Sequence, residues 1–330
     1  MIESIKRNKA YVIAAAVLVV LLLVTVCVVC LRDPTARPSS AAATSAPCQT
    51  ERSPEITQSP VPEPTATPTP VPTSEPTPVP TPISSAVIEN LNTKGKEWSF
   101  GYWAHKKDEN GIEQMIYELE AENVAVTSKY NAITGHKQGK KVYLTFDEGY
   151  ENGYTPLILD TLKEKGVKAA FFLTGDFIDS EPELVKRMYE EGHILGNHTD
   201  RHPLMSDLSE NQFREELATV EKKLNKLLGV NYDMKYYRPP QGYFSERDLA
   251  LAQNMGYRLV FWSFAYDDYS KPNESSEELI RKAYLCVTQS AHEGEVLLLH
   301  AVSRVNSQIL GDVIDCYQSQ GYTFASLDEY

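Results

Sequence analysis

The chain of 330 residues is long enough for one large domain or two smaller ones around a buried core. Its five cysteines make neither a disulfide framework nor a paired zinc ribbon, so packing must supply the stability. A balance of 32 Lys plus Arg against 45 Asp plus Glu leaves a net charge of -13, which argues against nucleic acid as the main partner. Residues 1–86 carry equal numbers of acidic and basic side chains, so the acidic excess belongs to residues 87–330.

From the N-terminus, Ala10 to Leu31 form an uncharged, almost wholly apolar run of 22 residues, the length at which a helix matches the hydrocarbon core of a bilayer. Lys6, Arg7 and Lys9 precede it, so the positive-inside rule predicts a cytoplasmic N-terminus (1–9), a membrane span (10–31) and an external remainder. A cleavable signal peptide is the alternative, with the small residues between Ala41 and Ala46 as its cleavage region. Cys27 and Cys30 then read as lipid-facing apolar residues of the span. Residues 32–86 follow as a Pro/Ser/Thr-rich linker: 14 of the 20 prolines lie between Pro34 and Pro82. That composition cannot build a core and favours extended polyproline II, reaching roughly 150 Å over about 50 residues if fully straight. It reads as a stalk or a plain disordered tether.

From Val87 the composition becomes globular, with a less regular extension over 87–140 whose Trp98, Phe100, Tyr102 and Trp103 are expected at the rim. Seven short β-branched and aromatic runs follow: VYLTF (142–146), AAFFLTG (169–175), HILGN (193–197), KYYR (235–238), RLVFWSF (258–264), EVLLLH (295–300) and YTFASL (322–327). Helical patterns separate them. The clearest runs from Ser209 to Leu228, with Phe213, Leu217, Val220, Leu224 and Leu227 at helical spacing, a Ser209/Gln212 capping box and Gly229 as the stop. Ser180 with Glu183 and Ser245 give further starts, and Gly192 and Gly256 further stops. This alternation implies a parallel α/β architecture, either an open doubly wound sheet or a closed barrel.

The chemistry-bearing residues follow strands. TFDEGY comes after the first, NHTDRH after the third, RPPQG after the fourth, FAYDDY after the fifth, and His300 closes the sixth. In either parallel architecture the strand C-termini share one face, where ligands bind. Asp147 and Glu148 are adjacent carboxylates that Gly149 is expected to let face one pocket; alone they are as easily solvated polarity or a helix cap. His198 and His202, spaced i, i+4, would present two imidazoles on one side of a helical turn, or be ordinary surface histidines. Two histidines and a carboxylate leave an open position on a divalent metal, and the second carboxylate can serve as a base. Arg238, held extended beside Pro239 and Pro240, would clamp one carboxylate or make a plain salt bridge. His300 suits a general acid if Asp268 holds its other nitrogen; a satisfied core histidine is the competing view.

Taken together, these segments resemble the polysaccharide deacetylase (NodB-homology) family of carbohydrate esterases over about residues 95–330, with counterparts to all five of its motifs in order. The resemblance implies a distorted barrel of about seven β/α units in residues 141–330 and a metal-dependent hydrolase that removes N-acetyl groups from amino sugars. It also implies roles: Asp147 as catalytic base, Glu148, His198 and His202 as ligands of a divalent metal such as Zn2+, Arg238 as the residue orienting the base, Asp268 as the one tuning the acid, and His300 as that acid. The stretches TFDEGYENGYT, RPPQGYFSE, FWSFAYDDY and LLHAVSRVN resemble the branch acting on N-acetylmuramic acid of peptidoglycan, which implies muramic δ-lactam formation in spore cortex. Glu148 departs from the family's usual aspartate, Tyr269 from a common tryptophan and Gln241 from a common aromatic. A non-catalytic glycan-binding protein is the alternative that Glu148 favours. A glycosidase is disfavoured, because adjacent carboxylates rarely span the roughly 5 Å such enzymes need.

Overall fold

A computed structural model describes residues 82–98, 102–107, 113–118, 121–135 and 137–330. The expected membrane span and nearly all of the expected linker lie outside them. Ile83 is tied to the domain by its backbone N–H and C=O, which both bond to the Asn254 side chain. Helix α1 (Ser85–Ile88) and strands β1 (Lys96–Glu97), β2 (Tyr102–Lys107) and β3 (Glu113–Glu118) come first, β2 and β3 pairing as an antiparallel ribbon. Helix α2 (Ala121–Ser128) leads to β4 (Lys141–Glu148), whose residues from Val142 onward are all buried. An apolar run hidden on both faces is what a central parallel strand requires.

The remaining elements alternate. They are α3 (Thr155–Lys165), β5 (Ala170–Leu173), α4 (Gly175–Ser180), α5 (Pro182–Glu190), β6 (Ile194–Asn197), α6 (Glu210–Leu228), β7 (Tyr236–Tyr237), β8 (Tyr243–Phe244), α7 (Glu246–Asn254), β9 (Arg258–Leu259), α8 (Glu277–Gln289), β10 (Glu295–His300), α9 (Arg304–Ser319) and β11 (Thr323–Phe324). Seven parallel strands form one sheet in the order β10-β4-β5-β6-β7-β9, with β11 beside the start of β4. The segment after β9 turns back onto β10 through the Phe264–Leu297 bridge, with Ser263 N–H donating to Val296 O at 3.0 Å and Leu298 N–H to Phe264 O at 2.9 Å. The sheet is therefore curled into an imperfect barrel, the distorted form expected above.

Helix α6 forms where its pattern predicts, with the Ser209/Gln212 capping box, buried Phe213, Leu217, Val220 and Leu224, and Gly229 at φ 69° closing it. Ser245 caps α7 through the same device with Asp248. The Ser180/Glu183 start is not used: Ser180 ends α4, and Pro182, whose missing N–H costs nothing in a first turn, opens α5. Trp98 is not at the rim. It is 2% exposed, stacks on Phe261 at 4.5 Å and donates from Nε1 to Trp262 O, fixing the β1–β8 pair against the sheet. Cys286 and Cys316 are free thiols.

Candidate active site

The C-terminal ends of β4 and β10 set the site. These strands pair in parallel with His300 opposite Asp147, which places the two side chains on one face about 4.8 Å apart at the backbone. Arg238 follows β7, its N–H bonded to Asn197 O at 3.0 Å, and its guanidinium is fully buried. Nη1 donates to Asp147 Oδ1 at 2.7 Å, Nη2 to Thr145 Oγ1 at 2.9 Å and Phe261 O at 3.2 Å, and Nε to Val260 O at 3.0 Å. The guanidinium also lies 4.2 Å from the Phe172 ring centroid, so every part of it is held. Burial pushes the Asp147 carboxyl up, but Arg238, then His198 and His300, outweigh it and hold the group below the usual carboxylate range.

On the other side, His300 Nδ1 donates to Asp268 Oδ1 at 2.7 Å, while Asp268 Oδ2 accepts the His300 N–H at 2.8 Å. Burial lowers the His300 pKa, yet the Asp268 carboxylate reverses this and leaves it above the ordinary imidazole value. A third residue completes the clamp. Asn306, fully buried in the first turn of α9, donates from Nδ2 to Asp268 Oδ2 and to His300 O at 3.1 Å, and accepts from the Tyr266 hydroxyl. The only sequence sign of Asn306 is its place in LLHAVSRVN, behind the Ser303 that caps α9. The Tyr269 ring sits 4.9 Å from that of His300 and is about half exposed, a surface on which a sugar ring can lie.

His198 and His202 meet in this cleft, though not on a helical turn. Residues 198–204 are a loop in which Thr199 (φ 70°) and His202 (φ 56°) adopt left-handed backbone. Two local bonds hold it: Thr199 N–H to Asn197 Oδ1 at 2.9 Å and His202 N–H to Thr199 Oγ1 at 3.0 Å. The imidazole rings come within 4.9 Å of each other. His198 Nδ1 faces Arg238 O at 2.8 Å; a carbonyl only accepts, so Nδ1 carries the proton and Nε2, 3.6 Å from Asp147 Oδ2, keeps its lone pair. Burial takes the His198 pKa down to about 4 and lowers that of His202, so both are neutral near pH 7.

Glu148 is placed differently. It is still within β4, and successive strand residues point to opposite faces, so it shares the side of Phe146 and Leu144 rather than that of Asp147 and Thr145. It is fully buried, neither carboxyl oxygen has a hydrogen-bond partner, and it does not line the cleft. Burial, then Glu151 and Asp147, push its pKa well above the ordinary carboxylate value. Gly149 does not bring both carboxylates to one pocket, because the strand continues through Glu148. Two neutral imidazoles with a buried carboxylate nearby suit a divalent cation. Asp147 Oδ2 stands 3.6 Å from His198 Nε2 without completing a three-residue ligand group among the described residues, so His198 and His202 would be the protein donors.

The cleft encloses about 630 Å³, the size of a small-ligand site, with Asp147, His198, His202 and His300 at its base and Tyr150, Trp262 and Tyr269 among its walls. Residues 134–260 match the polysaccharide deacetylase family model. The chain is 43% identical over 206 residues to the peptidoglycan-N-acetylmuramic acid deacetylase PdaA of Bacillus subtilis, covering 62% of this chain and 77% of that protein. It is 35% identical over 184 residues to a peptidoglycan-N-acetylglucosamine deacetylase of Bacillus cereus, covering 56% and 64% respectively. The solved structure of Bacillus subtilis PdaA, described as a family 4 carbohydrate esterase, superposes with a TM-score of 0.64 at 38% identity, covering 72% of this chain and 97% of that one. The chain thus belongs to the polysaccharide deacetylase family and is a carbohydrate de-N-acetylase, a hydrolase of amide bonds.

Proposed function

We propose that the protein is an extracellular, membrane-anchored deacetylase that hydrolyses the acetamide of N-acetylmuramic acid in peptidoglycan, leaving the amine that closes to the δ-lactam of spore cortex. The observation that carries the reading is the pairing of Asp147 with His300 across neighbouring strand ends, each braced by its own partner, Arg238 or Asp268. The 43% identity to an enzyme named for that sugar supports the choice of muramic acid over glucosamine.

In this mechanism Asp147, kept ionised by Arg238, removes a proton from the water that attacks the acetamide carbonyl. His300, whose hold on its proton Asp268 strengthens, gives a proton to the departing amine. A divalent cation such as Zn2+, held at His198 and His202, would supply Lewis acidity toward the carbonyl oxygen and the water. The aromatic walls hold the sugar and limit competing water.

The test is acetate release from peptide-free glycan strands by the full-length protein, with and without zinc, followed by identification of the deacetylated sugar. Zinc-stimulated release from muramic residues is expected, abolished in Asp147→Asn and largely lost in His300→Ala. Release from glucosamine residues alone would assign the other amino sugar. Saturable glycan binding without any release would make the protein a wall-binding member of the family.

A further inference from the structure

The cleft is acidic for a site that takes an anionic sugar. Among the described residues lining it, Glu97, Asp147 and Asp176 are carboxylates, and Arg201 is the one cation besides the histidines. Asp147 is already matched by the buried Arg238, while Glu97 and Asp176 have no ion-pair partner among the described residues.

The chain holds the Arg201 backbone and leaves its head open. Its N–H donates to Glu216 Oε2 at 3.0 Å, and the left-handed Thr199 and His202 on either side fix the loop between the two histidines. The side chain is 74% exposed, and its one ion pair among the described residues runs from Nε to Asp200 Oδ2 at a long 3.5 Å. Asp200 is a divided partner, since its other oxygen accepts from Lys223 at 2.6 Å. Nη1 and Nη2 make no hydrogen bond among the described residues, which leaves the planar fork available to an oxyanion.

N-acetylmuramic acid differs from N-acetylglucosamine by one group, a lactyl ether on C3 that ends in a carboxylate. The acetamide to be cleaved is on C2. With that acetamide between Asp147 and His300, the carboxylate falls beside the reacting centre, in the same cleft that His202 and its neighbour Arg201 line. We propose that Arg201 recognises the lactyl carboxylate and is the residue by which this enzyme prefers muramic acid to glucosamine; the proposal rests on the N-acetylmuramic acid reading above. A guanidinium fork matches a carboxylate in two parallel hydrogen bonds, which a point charge cannot reproduce.

The experiment compares peptide-free glycan strands with the same strands after chemical reduction of the lactyl carboxyl to an alcohol. Acetate release by full-length wild type, Arg201→Gln and Arg201→Lys is followed as kcat/KM, with mass spectrometry assigning the sugar. Wild type is expected to prefer native over reduced strands by about thirtyfold, the scale of a charged hydrogen-bonded contact. In Arg201→Gln the preference falls to within about threefold of unity, with Lys intermediate. A structural role for Arg201 would lower both rates together and leave their ratio intact, and a retained ratio in Arg201→Gln overturns the proposal. Equal wild-type rates on native and reduced strands overturn it too while leaving muramic acid as the substrate. Wild-type release from glucosamine residues alone removes the underlying reading, and the proposal with it.

Discussion

Replacing Arg238 with methionine tests the link between the electrostatics of the site and the stability of the fold. Methionine keeps much of the side chain's length, so the change removes charge and hydrogen bonds more than volume. It strands the buried Asp147 carboxylate and frees Val260 O and Phe261 O, both now bonded to the guanidinium. Breaking a buried ion pair from one side costs about 3–5 kcal/mol, which for a domain of this size lowers the melting temperature by about 10 °C. The loss should depend on pH. In the wild type the Asp147 pKa lies below its unfolded value, so its contribution is present above the unfolded carboxylate pKa and disappears as pH falls through the folded one. In the variant burial is opposed only by His198 and His300, the pKa rises, and the buried carboxylate destabilises the fold as pH climbs above the unfolded value. The gap in melting temperature between the two proteins is therefore widest near neutrality and narrows on acidification. A gap that stays constant from pH 7 into the carboxylate range would refute this reasoning and assign the loss to the two carbonyls and the Phe172 contact.

Three further outcomes follow from individual side chains. Asp268→Asn removes the charge that raises the His300 pKa, so the alkaline limb of the kcat/KM profile should move to lower pH and the rate fall by about 10²–10⁴-fold; an unmoved limb would dissociate His300 from that limb. Glu148→Gln replaces a buried carboxyl that does not line the cleft by its isostere, so bound zinc per chain and at least a third of the acetate release should survive, measured by metal analysis and assay; loss of zinc would return Glu148 to the ligand set. Glu295, buried at the start of β10 against the Tyr317 hydroxyl, has its pKa pushed up to about 8 by burial. Between its ordinary value and that one, only the unfolded chain ionises, so stability should fall across pH 5–8. Glu295→Gln should flatten the fall in a melting series, and parallel slopes would reject the assignment.

Much of the site was legible because each reactive side chain follows an apolar strand. The runs at 142–146 and 295–300 needed only their apolar composition, and parallel topology then put Asp147, Arg238 and His300 at one end. What composition hides is parity and loop shape. Glu148 reads as the twin of Asp147 until the strand is seen to run through it, whereupon the period of two sends it to the opposite face. The i, i+4 spacing of His198 and His202 suggests a helical turn, but the rings converge through two left-handed residues that are not glycine, a backbone choice with no local sequence signal. Asn306 was invisible for another reason. An asparagine in the first turn of a helix is ordinary, and its work on Asp268 depends on α9 packing against the β10 end. Trp98 was misread as rim because its partners Phe261 and Trp262 are far along the chain.

The ambiguity between an open sheet and a barrel, which alternation alone leaves standing, is decided by a single hydrogen bond. Asp147 is the penultimate residue of β4 and Arg238 follows β7, and the order β4-β5-β6-β7 puts three strand spacings between them. In a flat sheet that is about 14 Å, farther than an aspartate and an arginine can jointly bridge while the guanidinium also binds Val260 O and Phe261 O beneath it. The observed Nη1–Oδ1 distance of 2.7 Å thus requires the sheet to curl until the chord between these ends is shorter than that flat spacing. The same curl brings the segment after β9 round to β10 at the Phe264–Leu297 bridge, which seats Asp268 against His300. Curvature, then, is what places the base with its arginine and the acid with its aspartate on the same side of one cleft. A change that flattened the sheet without touching any of these four residues would separate both pairs at once.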